Sequence, residues 1–176
     1  GDLGESIPTR TTIELEEGDV SSAPSTAYRG LWYGDEAFQR RNRMGGFLIE
    51  AGHALESYVT QKQRDEHPEW RAVIGGKPSN VRLKWSNPEV ADAVAEGVIA
   101  LLDANYMPSI SLSPDDGAEF DESDDRAWDA GDWDDSMDEV SITDRYVKFC
   151  NLVVEKVTKK YPDVRFGFLA YVQYTR

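Results

Sequence analysis

Ser109-Ile110-Ser111-Leu112-Ser113-Pro114-Asp115-Asp116-Gly117 reads as a short buried strand that ends, through a proline turn, in two adjacent carboxylates. In α/β proteins ligands bind beyond the carboxyl ends of the strands, and catalytic acids are mounted there. A run of like charge begins at the same point. Across residues 115–139 thirteen acidic side chains stand against one basic side chain, Arg126, which is a local charge of −12 within a chain total of −14. The rest of the chain is nearly balanced.

The elements on either side of this strand alternate in type. Residues 28–33 form an aromatic, strand-like run, and residues 35–44 suit a short basic helix stopped by Gly45-Gly46. Residues 47–51 are a second strand candidate, closing at Gly52-His53. Residues 55–66 have helical character up to Pro68, residues 70–77 resemble a small hairpin around Gly75-Gly76, and residues 81–85 alternate as a strand. Asn87-Pro88-Glu89 supplies an N-cap, a proline at the first helical position and an acid for the helix dipole. Val90, Ala93, Val94, Gly97, Val98, Leu101 and Leu102 then share one helical face. Beyond the acidic run, Ser141-Ile142-Thr143-Asp144 resembles a capping box with Asp in place of Glu or Gln. The helix it opens extends to about Lys160, with Ile142, Tyr146, Phe149, Cys150, Val153 and Val157 inward. Pro162 prevents continuation, and residues 165–172 are a last strand.

This pattern predicts the α/β class, with parallel βα units and about five strands in residues 28–176. A complete (β/α)8 barrel requires about 200 residues or more, so the expected architecture is a partial TIM barrel or a complete smaller open sheet. Residues 1–27, polar and without helical period, read as a linker from a preceding domain.

Composition narrows the function classes. Five Trp, eight Tyr and six Phe with 40% hydrophobic residues exclude a mainly disordered chain. The acidic balance argues against nucleic acid as a partner, because phosphate binding needs clustered Lys and Arg. No apolar run approaches the roughly 20 residues that cross a bilayer, so no membrane partner is expected, and residues 1–10 lack the pattern of a signal peptide. Cys150 is the sole cysteine, which removes an intramolecular disulfide and a Cys-based zinc site, and its apolar neighbours make it a buried thiol.

Asp115 and Asp116 are the leading chemical candidates. Glycoside hydrolysis uses two carboxyl groups flanking the scissile bond, a proton donor and a nucleophile or base, roughly 5 to 9.5 Å apart. Pro-Asp-Asp-Gly is equally an ordinary turn sequence. His53 follows a strand and a glycine, which aims it at the face that carries Asp116, as a substrate contact or a satisfied structural histidine. Arg29 and Trp32 lie on the first strand and Tyr171 beyond the last, positions that suit a carbohydrate cleft or core packing. The acidic run raises the question of calcium, but no window has the EF-hand spacing. A solvated loop is the reading taken, with Trp128 and Trp133 as anchors or as stacking surfaces. No metal and no cofactor is assigned.

Taken in order, Tyr28-Arg29-Gly30, Arg40-Arg41-Asn42-Arg43-Met44-Gly45-Gly46, Gly52-His53, His67-Pro68-Glu69-Trp70, Ser86-Asn87-Pro88-Glu89-Val90, Ser113-Pro114-Asp115-Asp116-Gly117, Tyr161-Pro162-Asp163 and Leu169-Ala170-Tyr171 form a set. The set resembles the bacterial domain of unknown function grouped with TIM-barrel glycoside hydrolases, which commonly follows an N-terminal domain like that of α-glucuronidases. Gly1-Asp2-Leu3-Gly4-Glu5-Ser6-Ile7-Pro8 resembles the junction after that domain. The resemblance implies a secreted, extracellular or periplasmic hydrolase acting on carbohydrate, with Asp115 and Asp116 at the end of strand four. Members often carry a cluster of cysteines just after this turn; residues 120–126 here contain none.

The expectation is therefore a fragment of a glycoside hydrolase, inactive without the remainder of a longer chain, in which Asp116 is the general acid and Asp115 its electrostatic neighbour. The alternative is a non-catalytic carbohydrate- or protein-binding module on the same scaffold. Open strand edges at residues 28–33 and 166–172 further predict a homo-oligomer.

Overall fold

Asp35 begins the first helix, where its side chain accepts the Phe38 N–H at 2.9 Å and satisfies one of the donors that a helix start leaves over. The computed structural model describes residues 8–14, 18–19, 21–31, 33–117, 119–123, 128–129 and 131–175. It divides the chain into two compact units, Gly1–Phe47 and Leu48–Arg176.

The first unit holds strand β1 (Tyr28–Arg29), helix α1 (Glu36–Arg41) and strand β2 (Gly45–Gly46), with β1 and β2 antiparallel. Gly46 sits at φ 110°, and a Cβ there would lie 2.1 Å from the Ala27 carbonyl oxygen. The glycine pair expected only to stop a helix is thus also the strand that β1 pairs with, since no larger residue fits so close to the neighbouring backbone.

The second unit runs through a 3₁₀ turn (Leu55–Tyr58), helix α2 (Gln61–Glu66), strands β3 (Arg71–Ile74) and β4 (Lys77–Leu83), helix α3 (Pro88–Ala104) and strand β5 (Ser109–Ser111). Strands β6 (Trp133–Asp134) and β7 (Glu139–Val140), helix α4 (Thr143–Thr158), strand β8 (Arg165–Gly167) and a 3₁₀ turn (Val172–Tyr174) complete it. The helical stretch expected over residues 55–66 is split, because the Thr60 side chain accepts the Gln63 N–H and starts α2 afresh with a capping box.

Helix α3 forms as its sequence dictates. Asn87 Oδ1 accepts the Glu89 N–H at 3.0 Å, Pro88 occupies the first turn, and Val90, Val94, Val98 and Leu102 are buried. Gly97 lets the helix press on the 3₁₀ turn, since a Cβ there would stand 2.1 Å from the Tyr58 carbonyl oxygen. Helix α4 packs beside α3 and buries Phe149, Cys150, Val153 and Val157. Its expected capping box does not form. Ile142 takes the cap position, and Ser141 Oγ accepts the Thr143 N–H at 3.3 Å without a reciprocal bond from Asp144, whose side chain is a methylene shorter than the Glu that the motif uses. Burial pushes the Cys150 thiol up to about 12.

The α/β class is as expected, but parallel pairing is confined, among the described residues, to β5 and β8. No closed barrel forms among those residues. β3 and β4 are an antiparallel hairpin turning at Gly75 (φ 57°) and Gly76 (φ 72°), and β6 and β7 are another antiparallel pair. The strand expected over residues 47–51 does not join a backbone ladder, because serine hydroxyls of β5 and of Ser113 just beyond it hold residues 50–52 instead. Ser109 Oγ accepts the Glu50 N–H at 2.8 Å, Ser113 Oγ donates to the Ala51 carbonyl at 2.8 Å, and Ser111 Oγ donates to the Gly52 carbonyl. The Ser113 carbonyl then accepts from the N–H groups of Ala54 and Leu55 at 2.9 Å. Under this end of β5 lies an aromatic cluster in which the Trp85 ring stands 4.8 Å from Tyr146 and 5.0 Å from Phe120, and Tyr174 packs 4.9 Å from Tyr146.

Candidate functional site

Beyond β5 the chain passes Pro114 and turns through Asp115, Asp116 and Gly117. Gly117 lies at φ 127°, and a Cβ there would meet Arg82 Nη2 at 2.9 Å, so the turn requires glycine. Two charged side chains, both buried, hold the turn from beneath. Glu56 Oε2 accepts the Asp115 N–H at 2.7 Å. Arg82 donates from Nη1 to the Asp115 carbonyl at 2.5 Å, from Nη2 to the Gly117 carbonyl at 2.9 Å and from Nε to the Glu119 carbonyl at 3.1 Å. Its Nη1 is also 3.4 Å from Glu56 Oε1, and its guanidinium lies over the Phe120 ring, 4.9 Å from the centroid. The side chains are 7% and 1% exposed for Arg82 and Glu56. Burial pushes the Glu56 carboxyl above its ordinary value, against the Asp115 N–H and Arg82, which favour its ionised form.

His53 also reaches the turn. Its Nδ1 is 2.5 Å from the Pro114 carbonyl oxygen, and since a carbonyl only accepts, Nδ1 carries the proton. That leaves Nε2 facing Asp116, 4.0 Å from Oδ1. The Asp116 side chain is 76% exposed and also accepts the Gly117 N–H at 3.0 Å. The Tyr171 ring stands 6.5 Å from that of His53, and half of the tyrosine is open to solvent.

The structure therefore gathers Asp115, Asp116, His53 and Tyr171 at the carboxyl end of β5. Arg29 is exposed on β1 in the first unit, and Trp32 lies outside the described residues. Tyr174 is buried in the aromatic cluster and does not line a cleft. Glu56 and Arg82 escaped the sequence reading. Strict alternation over residues 81–85 turns Val81 inward and Arg82 outward, yet Val81 is exposed and Arg82 buried. Nothing in the local pattern marks Glu56 as an interior acid.

A cleft of about 480 Å³ is lined by Asp116, Gly117 and Arg82 together with Val81 and Glu119, and two others share His53 or Glu119 with this region. One, of about 570 Å³, opens beside His53 and is lined by Glu50, Ser57, Tyr58, Leu101 and Ile110. Its size falls within the roughly 300–1,000 Å³ of small-molecule sites. Tyr58 donates to the Ser111 carbonyl at 2.8 Å, and burial pushes its hydroxyl up to about 12. The other, of about 600 Å³, lies by the β6–β7 hairpin among Glu119, Glu122, Asp138, Glu139 and Trp133. Trp128 packs partly buried against the core, whereas Trp133 is 49% exposed. Among the described residues no three His, Cys, Asp or Glu side chains are grouped to hold a metal ion, and no helix is long and apolar enough to cross a membrane.

A carboxylate in solvent, on a turn whose backbone is fixed from within and with an imidazole nitrogen facing it, is a group placed to exchange a proton with a bound molecule. The fold and this site define an α/β protein with an acid at a parallel-strand end. The chain belongs to the family described as a domain of unknown function, DUF4838, whose model matches residues 2–176. No curated protein and no solved structure matches it.

Proposed function

We propose that this chain is part of a glycoside hydrolase of partial (β/α)8 architecture, acting on a carbohydrate outside the cell or in the periplasm. Asp116 serves as general acid and donates a proton to the departing glycosidic oxygen. Asp115 is its electrostatic neighbour, while His53 and Tyr171 contact the sugar. The observation that carries this reading is the placement of Asp116: exposed, 4.0 Å from His53 Nε2, and mounted on a braced turn beyond a parallel strand. Glycosidases need a second carboxyl group across the scissile bond. Glu56 is not that group, because it is buried and committed to the Asp115 N–H. The partner acid, and with it activity, belongs to the longer protein in this reading, and exposed strand edges favour association with further copies.

The test is turnover of a panel of aryl glycosides and oligosaccharides by the protein that carries this chain, compared with its Asp116→Asn variant. Loss of general acid catalysis costs about 10²–10⁴-fold, and wild-type rates for the variant on every substrate turned over would remove Asp116 from the mechanism.

A second reading is favoured by Trp133, which stands half exposed over an acid-lined cleft. An exposed indole beside carboxylates offers a stacking face and hydrogen-bond acceptors to a sugar ring, as a non-catalytic binding module would. Sugar binding that Trp133→Ala abolishes, with no hydrolysis by the protein, would establish this reading over the first.

A further inference from the structure

We infer that Arg82 and Glu56 are positioning residues which set the direction of Asp116, and that a guanidinium is required at position 82. This inference rests on the hydrolase reading for its functional consequence, but its structural content stands on geometry.

Among the described residues of the turn, 115–117 and Glu119, none lies in a backbone ladder, and Arg82 takes the place of a neighbouring strand. Three of its donors go to the carbonyls of Asp115, Gly117 and Glu119. One planar fork thus holds three of the turn's carbonyls, while its face lies over Phe120. Glu56 completes the arrangement by accepting the Asp115 N–H. Asp115 is therefore held at both its N–H and its C=O, in the peptide groups on either side of its Cα, so the next Cα, that of Asp116, has little freedom. The preceding carbonyl, that of Pro114, is held by His53.

The energetics favour a positional over a purely stabilising role. Taking two charges out of water costs several kcal/mol per ion, and an apolar pair of similar volume often serves a core as well or better. The contact between the two charges is long, at 3.4 Å, so the pair gains little from mutual hydrogen bonding. What an apolar pair cannot supply is four hydrogen bonds to one turn. Lysine cannot supply them either, because a single nitrogen does not span three carbonyls.

The experiment follows amide hydrogen exchange at Asp115 and Gly117, together with kcat and KM, in Arg82→Lys, Glu56→Asp and Glu56→Gln. Arg82→Lys is expected to raise exchange at both amides by about ten- to a hundredfold, the loss that follows from unmaking hydrogen bonds to a charged group. In the same variant kcat should fall while KM changes little, because the acid is misdirected and the binding groups remain. Glu56→Asp withdraws the acceptor by one methylene and should accelerate exchange at Asp115 chiefly. Glu56→Gln keeps an oxygen in place and should restore nearly wild-type exchange. If Arg82→Lys does not fold, Glu56→Asp against Glu56→Gln carries the same comparison. Unchanged exchange at Asp115 in folded Arg82→Lys, or in Glu56→Asp, overturns the inference whatever the activity. Exchange that responds as expected in a protein without hydrolytic activity upholds the clamp and rejects the hydrolase reading alone.

Discussion

Arg145 meets Asp129 with two parallel hydrogen bonds, Nε to Oδ1 at 3.0 Å and Nη2 to Oδ2 at 2.5 Å, while Arg82 stands 3.4 Å from Glu56 and gives its other donors to backbone carbonyls. All four side chains are buried. Arg145 spends one further donor, on the Asp121 carbonyl at 2.9 Å. The first arrangement closes on itself: a bidentate pair neutralises its own charge and staples the acidic segment to the first turn of α4. The second is directed outward, at the turn that carries Asp116. A buried arginine can thus hold two segments together or aim one of them, and its acceptors distinguish the two uses.

The largest expected effect breaks both arrangements equally. Arg82→Ala leaves three carbonyls of the turn without their buried donor, Arg145→Ala leaves the buried Asp129 carboxylate without its partner, and each should lower unfolding free energy in urea by about 3–5 kcal/mol. A smaller effect separates them. In a double-mutant cycle the Arg145–Asp129 coupling should reach about 1.5–3 kcal/mol, the range for hydrogen bonds to charged groups. The Arg82–Glu56 coupling should be near 1 kcal/mol or less, since that contact is long. Equal couplings would erase the distinction.

A pH dependence sharpens the contrast further. The folded Glu56 carboxyl holds its proton more tightly than the unfolded one, because burial penalises its charged form. Its contribution to stability is therefore whole below the ordinary value of 4.5 and is lost as pH rises through the higher folded value. Glu56→Gln has no such proton. The stability of the wild type relative to Glu56→Gln should fall as pH rises above 4.5 toward neutrality, and a parallel pair of stability curves would contradict this assignment. The smallest effect is at the surface. Trp133→Ala should change stability by no more than about 0.5 kcal/mol, since the indole is half exposed, and a larger loss by thermal melting would move Trp133 into the core.

Much of this arrangement is readable from the residues in order. Asn87-Pro88-Glu89 announces α3, the apolar spacing of residues 142–157 marks the inner face of α4, and Gly75-Gly76 announces the β3–β4 turn. Each is a local signal, with caps, period and positive φ written in adjacent residues. The position of His53 relative to Asp116 follows from the same logic, as both lie just past strand-like runs. What is not readable depends on partners distant in the chain. Arg82 is inward because the carbonyls of Asp115, Gly117 and Glu119 await it, some 35 residues on. Glu56 is buried only because the Asp115 N–H meets it from 59 residues away. The strand-like run at residues 47–51 stays out of the ladder because Ser109, Ser111 and Ser113 hold it with side chains, a substitution that β propensity does not encode.

The most direct measurement of the central claim, that the braced turn presents Asp116 as a general acid, is the dependence of hydrolysis on the leaving group. For the protein that carries this chain, kcat/KM of Asp116→Asn would be compared with wild type across aryl glycosides whose phenols range from strongly to weakly acidic. Loss of a proton donor should leave the most acidic phenols nearly unaffected and slow the least acidic by about 10²-fold or more. A uniform loss across the series, or none, would contradict the account.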